Sequence, residues 1–184
     1  MKRIAVVLSL LLLVFAVSVQ TQNQKPTPPP EMKNFDIYIG DWTLEGEYHE
    51  SPLGAAEKYT GKITIRWILD GFFMEWKTVH KGEKSGNIES IMFEWYDAAT
   101  KTYRYQIFEN DGSTSSGTET VKGNQRTWLS EITYRGTKYQ IRAAAIFAPD
   151  GMSWNGKGEI SADGKTWKLI FEDKVTKVKP AAQK

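Results

Sequence analysis

The sequence predicts an all-β domain, a single antiparallel up-and-down barrel of about ten strands that follows a short N-terminal helical turn. Four Asp-Gly dipeptides lie between runs rich in aromatic and β-branched residues, and Asp-Gly is a strong signal for a tight hairpin. Turn signals recur about every 12 residues, a spacing typical of sandwiches and barrels. No amphipathic helix of useful length interrupts them, which argues against parallel βαβ units. Closing such a meander into a barrel removes its two edge strands.

The first 20 residues have the pattern of an export signal. Lys2 and Arg3 precede an apolar stretch, Ile4 to Val17, that is too short to span a bilayer comfortably. Ala16-Val17-Ser18 offers a small-x-small cleavage site, so we expect cleavage after Ser18 or after Gln20. We therefore expect an exported protein, periplasmic or extracellular, without stable membrane insertion after cleavage. A retained anchor is the alternative.

Composition divides the rest of the chain into one domain and two short flanks. Residues 21–31 are polar and proline-rich, which predicts an extended linker. We expect the barrel to cover residues 32–178 and a flexible tail to cover 179–184. The chain contains no cysteine, so the barrel must be stabilised without disulfides.

Charge argues against nucleic-acid binding, and polarity argues against a transmembrane barrel. Without Lys2 and Arg3 the 24 basic residues fall to 22, which equals the 22 acidic residues. A neutral mature domain has no electrostatic reason to bind nucleic acid. The segment 113–122 is polar on both faces, so it lacks the lipid-facing apolar row of a transmembrane barrel.

The elements follow from apolar spacing in chain order. Met32, Phe35 and Ile39 are three and four residues apart, which predicts one or two helical turns with one buried face, and Gly40 ends them. Alternation between turn signals then predicts ten strands, approximately 42–50, 59–69, 72–80, 87–97, 102–110, 113–122, 125–134, 137–148, 152–160 and 166–175.

Two-residue turns also predict which side chains face inward, because the residues that flank such a turn are paired and point to the same side of the sheet. Leu69 and Phe72 flank Asp70-Gly71. The predicted inward set of this hairpin is therefore Ile63, Ile65, Trp67, Leu69, Phe72, Met74 and Trp76.

The same argument, carried through Asp111-Gly112, Gly123-Asn124 and Arg135-Gly136, predicts a mixed aromatic and polar interior for the later strands. Its inward members are Arg104, Gln106, Phe108, Ser113, Ser115, Trp128, Ser130, Ile132, Tyr139, Ile141 and Phe147. The outward set is Thr114, Thr118, Thr127, Glu131, Lys138, Gln140 and Arg142. A single unrecognised bulge would invert part of this assignment.

A mixed lining of this kind suits a small-molecule cavity better than a dry core. The candidate ligand-binding residues are Trp67, Trp76, Arg104, Gln106, Trp128, Ser130 and Tyr139. An inward Arg104 must either pair with an internal carboxylate such as Glu119 or bind an anionic group of the ligand.

Other chemistry finds little support in the sequence. We predict no catalytic residue, no metal ligand and no cofactor, with His49 on the surface and His80 on a solvated rim. The carboxylate pairs Glu45/Glu47 and Glu89/Glu94 show no difference in environment that would separate their pKa values. The sequence leans away from an enzyme without deciding the question.

Three motifs carry a resemblance to a known family. They are Gly40-Asp41-Trp42-Thr43-Leu44-Glu45-Gly46, Trp67-Ile68-Leu69-Asp70-Gly71-Phe72-Phe73, and Tyr96-Asp97 with Lys101-Thr102-Tyr103. Over residues 32–175 the chain resembles a family of exported bacterial domains of unknown function with a lipocalin-like, calycin-type barrel. The resemblance implies that Trp42 packs across the closed end of the barrel, and it implies no reaction.

Two details of related barrels do not transfer. Nitrobindin-like barrels bind haem through a histidine late in the chain, whereas His49 and His80 are both early. Lipocalins stack a late-strand arginine on the first-strand tryptophan, but the last strands here contain no arginine, and Arg142 is predicted to face outward.

The leading hypothesis from the sequence is an exported barrel that binds a small apolar or amphipathic molecule. The alternatives are a barrel enzyme that uses an interior carboxylate with Arg104, and a structural or interaction module. The sequence does not determine the ligand or the oligomeric state.

Overall fold

The computed structural model describes residues 25–179 and shows a closed antiparallel barrel. A 3-10 helix, Pro30–Tyr38, precedes ten strands. In chain order the strands are β1 (Gly40–Tyr48), β2 (Glu57–Ile68), β3 (Phe73–Gly82), β4 (Gly86–Asp97), β5 (Thr102–Glu109), β6 (Thr114–Lys122), β7 (Gln125–Tyr134), β8 (Thr137–Phe147), β9 (Ser153–Ser161) and β10 (Lys168–Lys177). The predicted signal peptide, 1–20, lies outside the described residues, as do residues 21–24 of the predicted linker and 180–184 of the predicted tail.

Every strand pairs with its sequence neighbours, and β1 closes the ring against β10. The prediction of a single up-and-down antiparallel barrel with a short N-terminal helical turn is confirmed. Each strand begins and ends within two residues of its predicted limits, because turn-forming dipeptides mark most of the connections.

The 3-10 helix closes one end of the barrel, and we call it the plug. Its buried residues are Met32, Phe35 and Tyr38, three apart because a 3-10 helix has three residues per turn. α-Helical spacing predicts Ile39 in this role, which is wrong by one position. Pro30 and Glu31, which were placed in the linker, form the first helical residues.

The residues before the plug lie against the outside of the barrel. Lys25 Nζ is 2.8 Å from the Asp70 carboxylate in the β2–β3 connection. A Cβ at Gly71 would come within 3.3 Å of the Pro28 ring. This part of the predicted linker therefore contacts the domain.

The closed end holds most of the large buried aromatic side chains. Trp42 is fully buried and donates its indole N–H to the carbonyl oxygen of Tyr38 at 2.7 Å. Its ring centroid is 4.4 Å from that of Trp154. Lys177, and not an arginine, supplies a cation from the last strand, with Nζ 4.8 Å from the Trp42 ring centroid.

The β2–β3 hairpin has the predicted register but a different turn. The connection spans Leu69 to Phe72, and Ile68 pairs with Phe73. The other pairs of the hairpin are therefore the ones that a two-residue turn at Asp70-Gly71 would give. The inward positions of Ile63, Ile65, Trp67, Met74 and Trp76 follow as expected. Leu69 is wrong, because it lies in the turn with φ of 48° and is 68% exposed.

The prediction that Arg104, Gln106 and Phe108 face inward is also wrong. Glu109 N–H bonds to the carbonyl oxygen of Ser113, so three residues, not two, connect β5 to β6. The extra residue shifts the register by one and turns every β5 side chain to the opposite face. Phe108 is consequently 45% exposed, and Ser113, which bonds to Glu109, directly precedes β6.

From β6 onward the predicted inward positions share one face. The turns at Gly123-Asn124 and Arg135-Gly136 have two residues, as predicted. Trp128 pairs with Ala143, Ser130 with Ile141, and Ile132 with Tyr139 on that face. The error in β5 is therefore local to the Asp111-Gly112 turn.

Candidate functional site

A cavity of about 470 Å³ opens at the end of the barrel opposite the plug. We call this end the mouth. The lining residues come from the ends of β1, β3 and β5, the starts of β2, β4 and β10, and the β1–β2 and β3–β4 connections. They are Tyr48, His49, Ser51, Leu53, Gly54, Ala55, Glu57, His80, Lys84, Ser85, Ile88, Glu109, Ile170 and Phe171.

A tyrosine–histidine pair forms the polar centre of the mouth. The Tyr48 hydroxyl and His80 Nε2 are 2.8 Å apart. Burial lowers the pKa of His80, so the ring is neutral at physiological pH. Its Nδ1 is buried and has no hydrogen-bond partner among the described residues, which leaves a polar atom that a ligand can satisfy.

A second polar pair lies deeper in the barrel. The Tyr59 hydroxyl is 3.4 Å from Asp173 Oδ2. Burial, which outweighs the hydrogen bond from Tyr59, raises the pKa of Asp173 to about 6. The other oxygen, Oδ1, is buried without a hydrogen-bond partner among residues 25–179.

Glycines on neighbouring strands make room for these side chains. Gly61 pairs with His80, and a Cβ at Gly61 would lie 2.5 Å from the His80 Cβ. Gly156 pairs with Asp173, and a Cβ there would collide with the carboxylate. Larger residues at these positions would displace the groups that line and underlie the cavity.

A buried carboxylate, Glu94, lies in the barrel nearer the plug. It is fully buried and accepts two indole N–H groups, from Trp76 at 2.8 Å and from Trp128 at 2.9 Å. Burial raises the pKa of Glu94, while the two indole hydrogen bonds oppose that change. Each carboxylate oxygen of Glu94 accepts one indole N–H, Oε2 from Trp76 and Oε1 from Trp128.

Glu119 and Arg126 complete a charged cluster beneath the plug. Arg126 NH1 is 3.4 Å from Glu119 Oε1, and both side chains are nearly inaccessible to solvent. Burial and the neighbouring Glu94 raise the pKa of Glu119. Because Glu119 has this single weak bond and its Oε2 has no partner among the described residues, it is the better site for a proton than Glu94. A neutral Glu119 leaves Glu94 and Arg126 as balanced charges.

Arg126 also connects the barrel to the plug. Its NH2 donates to the carbonyl oxygen of Asn34. Its guanidinium carbon lies 5.3 Å from the Phe35 ring centroid and 4.9 Å from that of Tyr38, within the range of cation–π attraction.

The structure distributes the sequence-predicted binding residues over several sites. Trp76 and Trp128 bind Glu94, and Ser130 is buried on the same face as Trp128. Trp67 lies beside the plug and donates to Asp36 at 3.2 Å. Tyr139 pairs with Ile132. None of the seven predicted residues is among those that line the mouth cavity.

Arg104 and Gln106 lie on the outer face of β5. Arg104 pairs with Asp97 at 3.0 Å and is 42% exposed, so it reaches neither Glu94 nor Glu119. The predicted partnership of Arg104 with an interior carboxylate does not form. Arg126, which is not among the residues predicted from the sequence, occupies that role.

Of the two histidines, His80 is predicted to lie on a solvated rim, whereas it is half-buried and lines the cavity. A signal was available, because Met74 and Trp76 were predicted to face inward and His80 has the same parity. His49 Nε2 lies 3.4 Å from Glu172 at the edge of the mouth.

Within residues 25–179 no group of three or more potential ligands could hold a metal ion. Over the same residues, no helix is both long and apolar enough to cross a membrane.

Comparison with known proteins identifies the family. Residues 27–145 match the family described as "Protein of unknown function (DUF1579)". The chain belongs to this family. No curated protein matches the sequence.

Solved structures align with this DUF1579 protein at low sequence identity. Rv2717c from M. tuberculosis aligns with a TM-score of 0.59 at 10% identity, over 83% of this chain and 99% of its own. A phycobiliprotein lyase from Guillardia theta aligns with a TM-score of 0.49 at 11% identity, over 82% of this chain and 93% of its own. A designed fluorescence-activating β-barrel aligns with a TM-score of 0.41 at 11% identity, over 76% of this chain and 93% of its own. The likeness to Rv2717c shows the fold alone.

Proposed function

We propose that this DUF1579 protein binds a small amphipathic molecule in the mouth of its barrel. The cavity of about 470 Å³ carries the proposal, since small-molecule sites usually occupy roughly 300–1,000 Å³. Ile88, Ile170 and Phe171 give it an apolar wall. The Tyr48–His80 pair gives it a polar centre with one unsatisfied nitrogen.

The structure of the plugged end supports entry of the ligand through the mouth. The plug fills that end, and Phe35 and Tyr38 are fully buried there. Because Arg126 donates hydrogen bonds both to Glu119 in the barrel and to Asn34 in the plug, a ligand that entered from this side would have to break buried hydrogen bonds of a charged group. The mouth is therefore the entrance.

A cavity-filling substitution tests the proposal with the neutral amphiphilic dye Nile red. Ile88 faces the cavity from β4, so Ile88→Trp should fill part of the volume and weaken Nile red binding at least about tenfold, a loss of roughly 1.4 kcal/mol. Fluorescence titration measures the affinity, and native mass spectrometry on protein recovered from its source looks for a resident ligand.

Ile91→Trp is the matched control, because Ile91 lies on the outer face of the same strand and is 38% exposed. It should bind Nile red as the unmodified protein does. Equal affinity in both variants, or no binding by the unmodified protein, would refute the proposal.

We also propose that the protein is exported to a periplasm or to the outside of the cell. The support is sequence pattern alone, namely the basic residues Lys2 and Arg3 before the apolar stretch 4–17. N-terminal sequencing of the protein recovered from cells should give a new N-terminus after Ser18 or Gln20. Recovery of Met1 in the cell interior would contradict export.

A further inference from the structure

We propose that the mouth selects amphiphiles whose polar end is a cation, such as an ammonium group, over those that end in a carboxylate. The inference rests on the proposed function and names the ligand class of the same cavity. It reverses the expectation, drawn from the sequence, of an anionic group beside Arg104, because Arg104 lies outside the barrel.

Carboxylates surround the polar centre of the mouth. Glu57 and Glu109 line the cavity, and Asp173 lies below it, bonded to Tyr59. After burial, the negative charges of Glu109, Glu57 and Asp173 raise the pKa of Tyr48 further. All three carboxylates therefore act on the space around the Tyr48 hydroxyl.

One ammonium group, that of Lys84, lines the cavity beside the two carboxylates of Glu57 and Glu109. Lys84 Nζ donates to the carbonyl oxygen of Ala56 at 2.8 Å, next to Glu57. The pKa of Glu57 is lowered by the Lys84 backbone N–H, by hydrogen bonds from Ser85 and by the Lys84 charge. His49 lies beside Glu172. His80 is neutral because burial lowers its pKa. A carboxylate ligand would thus meet like charges with no arginine to pair with.

Aromatic rings add a second source of attraction for a cation. The ring centroids of Tyr48 and Tyr59 are 4.3 Å apart, and those of Tyr59 and His80 are 5.3 Å apart. Phe171 completes the lining on the β10 side. Aromatic faces attract ammonium groups, and the Tyr59 hydroxyl in turn contacts the Asp173 carboxylate.

Two probes of equal chain length and opposite charge test the inference. Dodecylammonium and dodecanoate are titrated calorimetrically below their micelle concentrations at pH 8, where Asp173 is ionised. We expect dodecylammonium to bind about tenfold more tightly, with an advantage that shrinks as salt is added. Equal affinities, or tighter binding of dodecanoate, would overturn the inference and leave the proposed function standing. Binding of neither probe would count against both.

Glu109→Gln locates the effect. Glu109 is exposed at the rim, so its substitution does not threaten the fold. It should weaken dodecylammonium by about two- to fivefold, as expected for a partly exposed charge, and should leave dodecanoate unchanged or tighter. Glu131→Gln, on the outer face of β7, is the matched control and should change neither affinity. An equal effect of Glu109→Gln on both probes would overturn the assignment.

Discussion

Arg126 joins the barrel wall, a buried carboxylate and the plug. It is 3% exposed, pairs with Glu119 and donates to the Asn34 carbonyl. Removing its guanidinium leaves the Glu94 carboxylate, the charge that it balances, uncompensated in a low-dielectric interior. The stability of the closed end thus depends strongly on one residue.

Arg126→Met should lower the free energy of unfolding by about 3–5 kcal/mol. It should also speed hydrogen exchange of the plug amides, such as the Met32 N–H that bonds to Pro29, more than exchange in the strands. Chemical denaturation and hydrogen-exchange mass spectrometry measure the two effects.

Arg142→Met provides the comparison. Arg142 pairs with Glu159 at 2.7 Å on the outer face and is 43% exposed, so its loss should cost no more than about 1 kcal/mol. If the two variants were equally stable, or if plug exchange did not change in Arg126→Met, the role assigned to Arg126 would fall.

The sequence identified the residue types of the site better than their partners. It named Glu119 as an interior carboxylate, and it placed Trp76, Trp128 and Ser130 on the inner face. It offered Glu119 as one of two partners for Arg104, because a two-residue turn at Asp111-Gly112 would place both side chains inside. Arg126 was reachable by the same parity, since it is two residues from Trp128. The convergence of β4, β6 and β7 on one buried point depends on barrel closure, which strand patterns do not show.

At the level of elements, the same dipeptide served turns of different length. Asp70-Gly71 lies in a four-residue connection and Asp111-Gly112 in a three-residue one. An even change in loop length keeps the inward face, whereas an odd change inverts it. Strand positions were therefore predictable throughout, but the faces of β5 were not. Turn length depends on backbone φ values that the dipeptide permits without specifying.

The helix type of the plug was likewise not predictable from apolar spacing. Its apolar residues fit α-helical and 3-10 spacing almost equally well over one or two turns. Tyr38, rather than Ile39, is buried because the tighter helix turns it towards Trp76 and Phe147, with ring centroids 4.8 Å away in each case. Only the packing partners decide between the two periods.

The molecule as a whole carries acidic groups in an interior that disfavours their charge. Burial raises the pKa values of Glu94, Glu119 and Asp173. A carboxyl group whose pKa is higher in the folded than in the unfolded state stabilises the fold below the unfolded pKa. That contribution is lost as pH rises through the folded pKa. We therefore expect stability to fall between about pH 5 and pH 9.

Glu119→Gln should remove much of this slope, because an amide replaces the group that holds the proton. The variant should match the unmodified protein near pH 5 and exceed its stability by on the order of 2 kcal/mol near pH 9. Urea denaturation across this range measures the difference. A difference that is independent of pH would show that Glu119 is not the titrating group.

The two indole N–H groups on Glu94 have an optical consequence. The excited state of an indole redistributes charge across its rings, so the emission of Trp76 and Trp128 responds to whether the carboxylate between them is charged. A pH titration of tryptophan emission reads the protonation of a fully buried group from outside, with no label. Trp76 and Trp128 thus form an intrinsic optical reporter of the charge on Glu94.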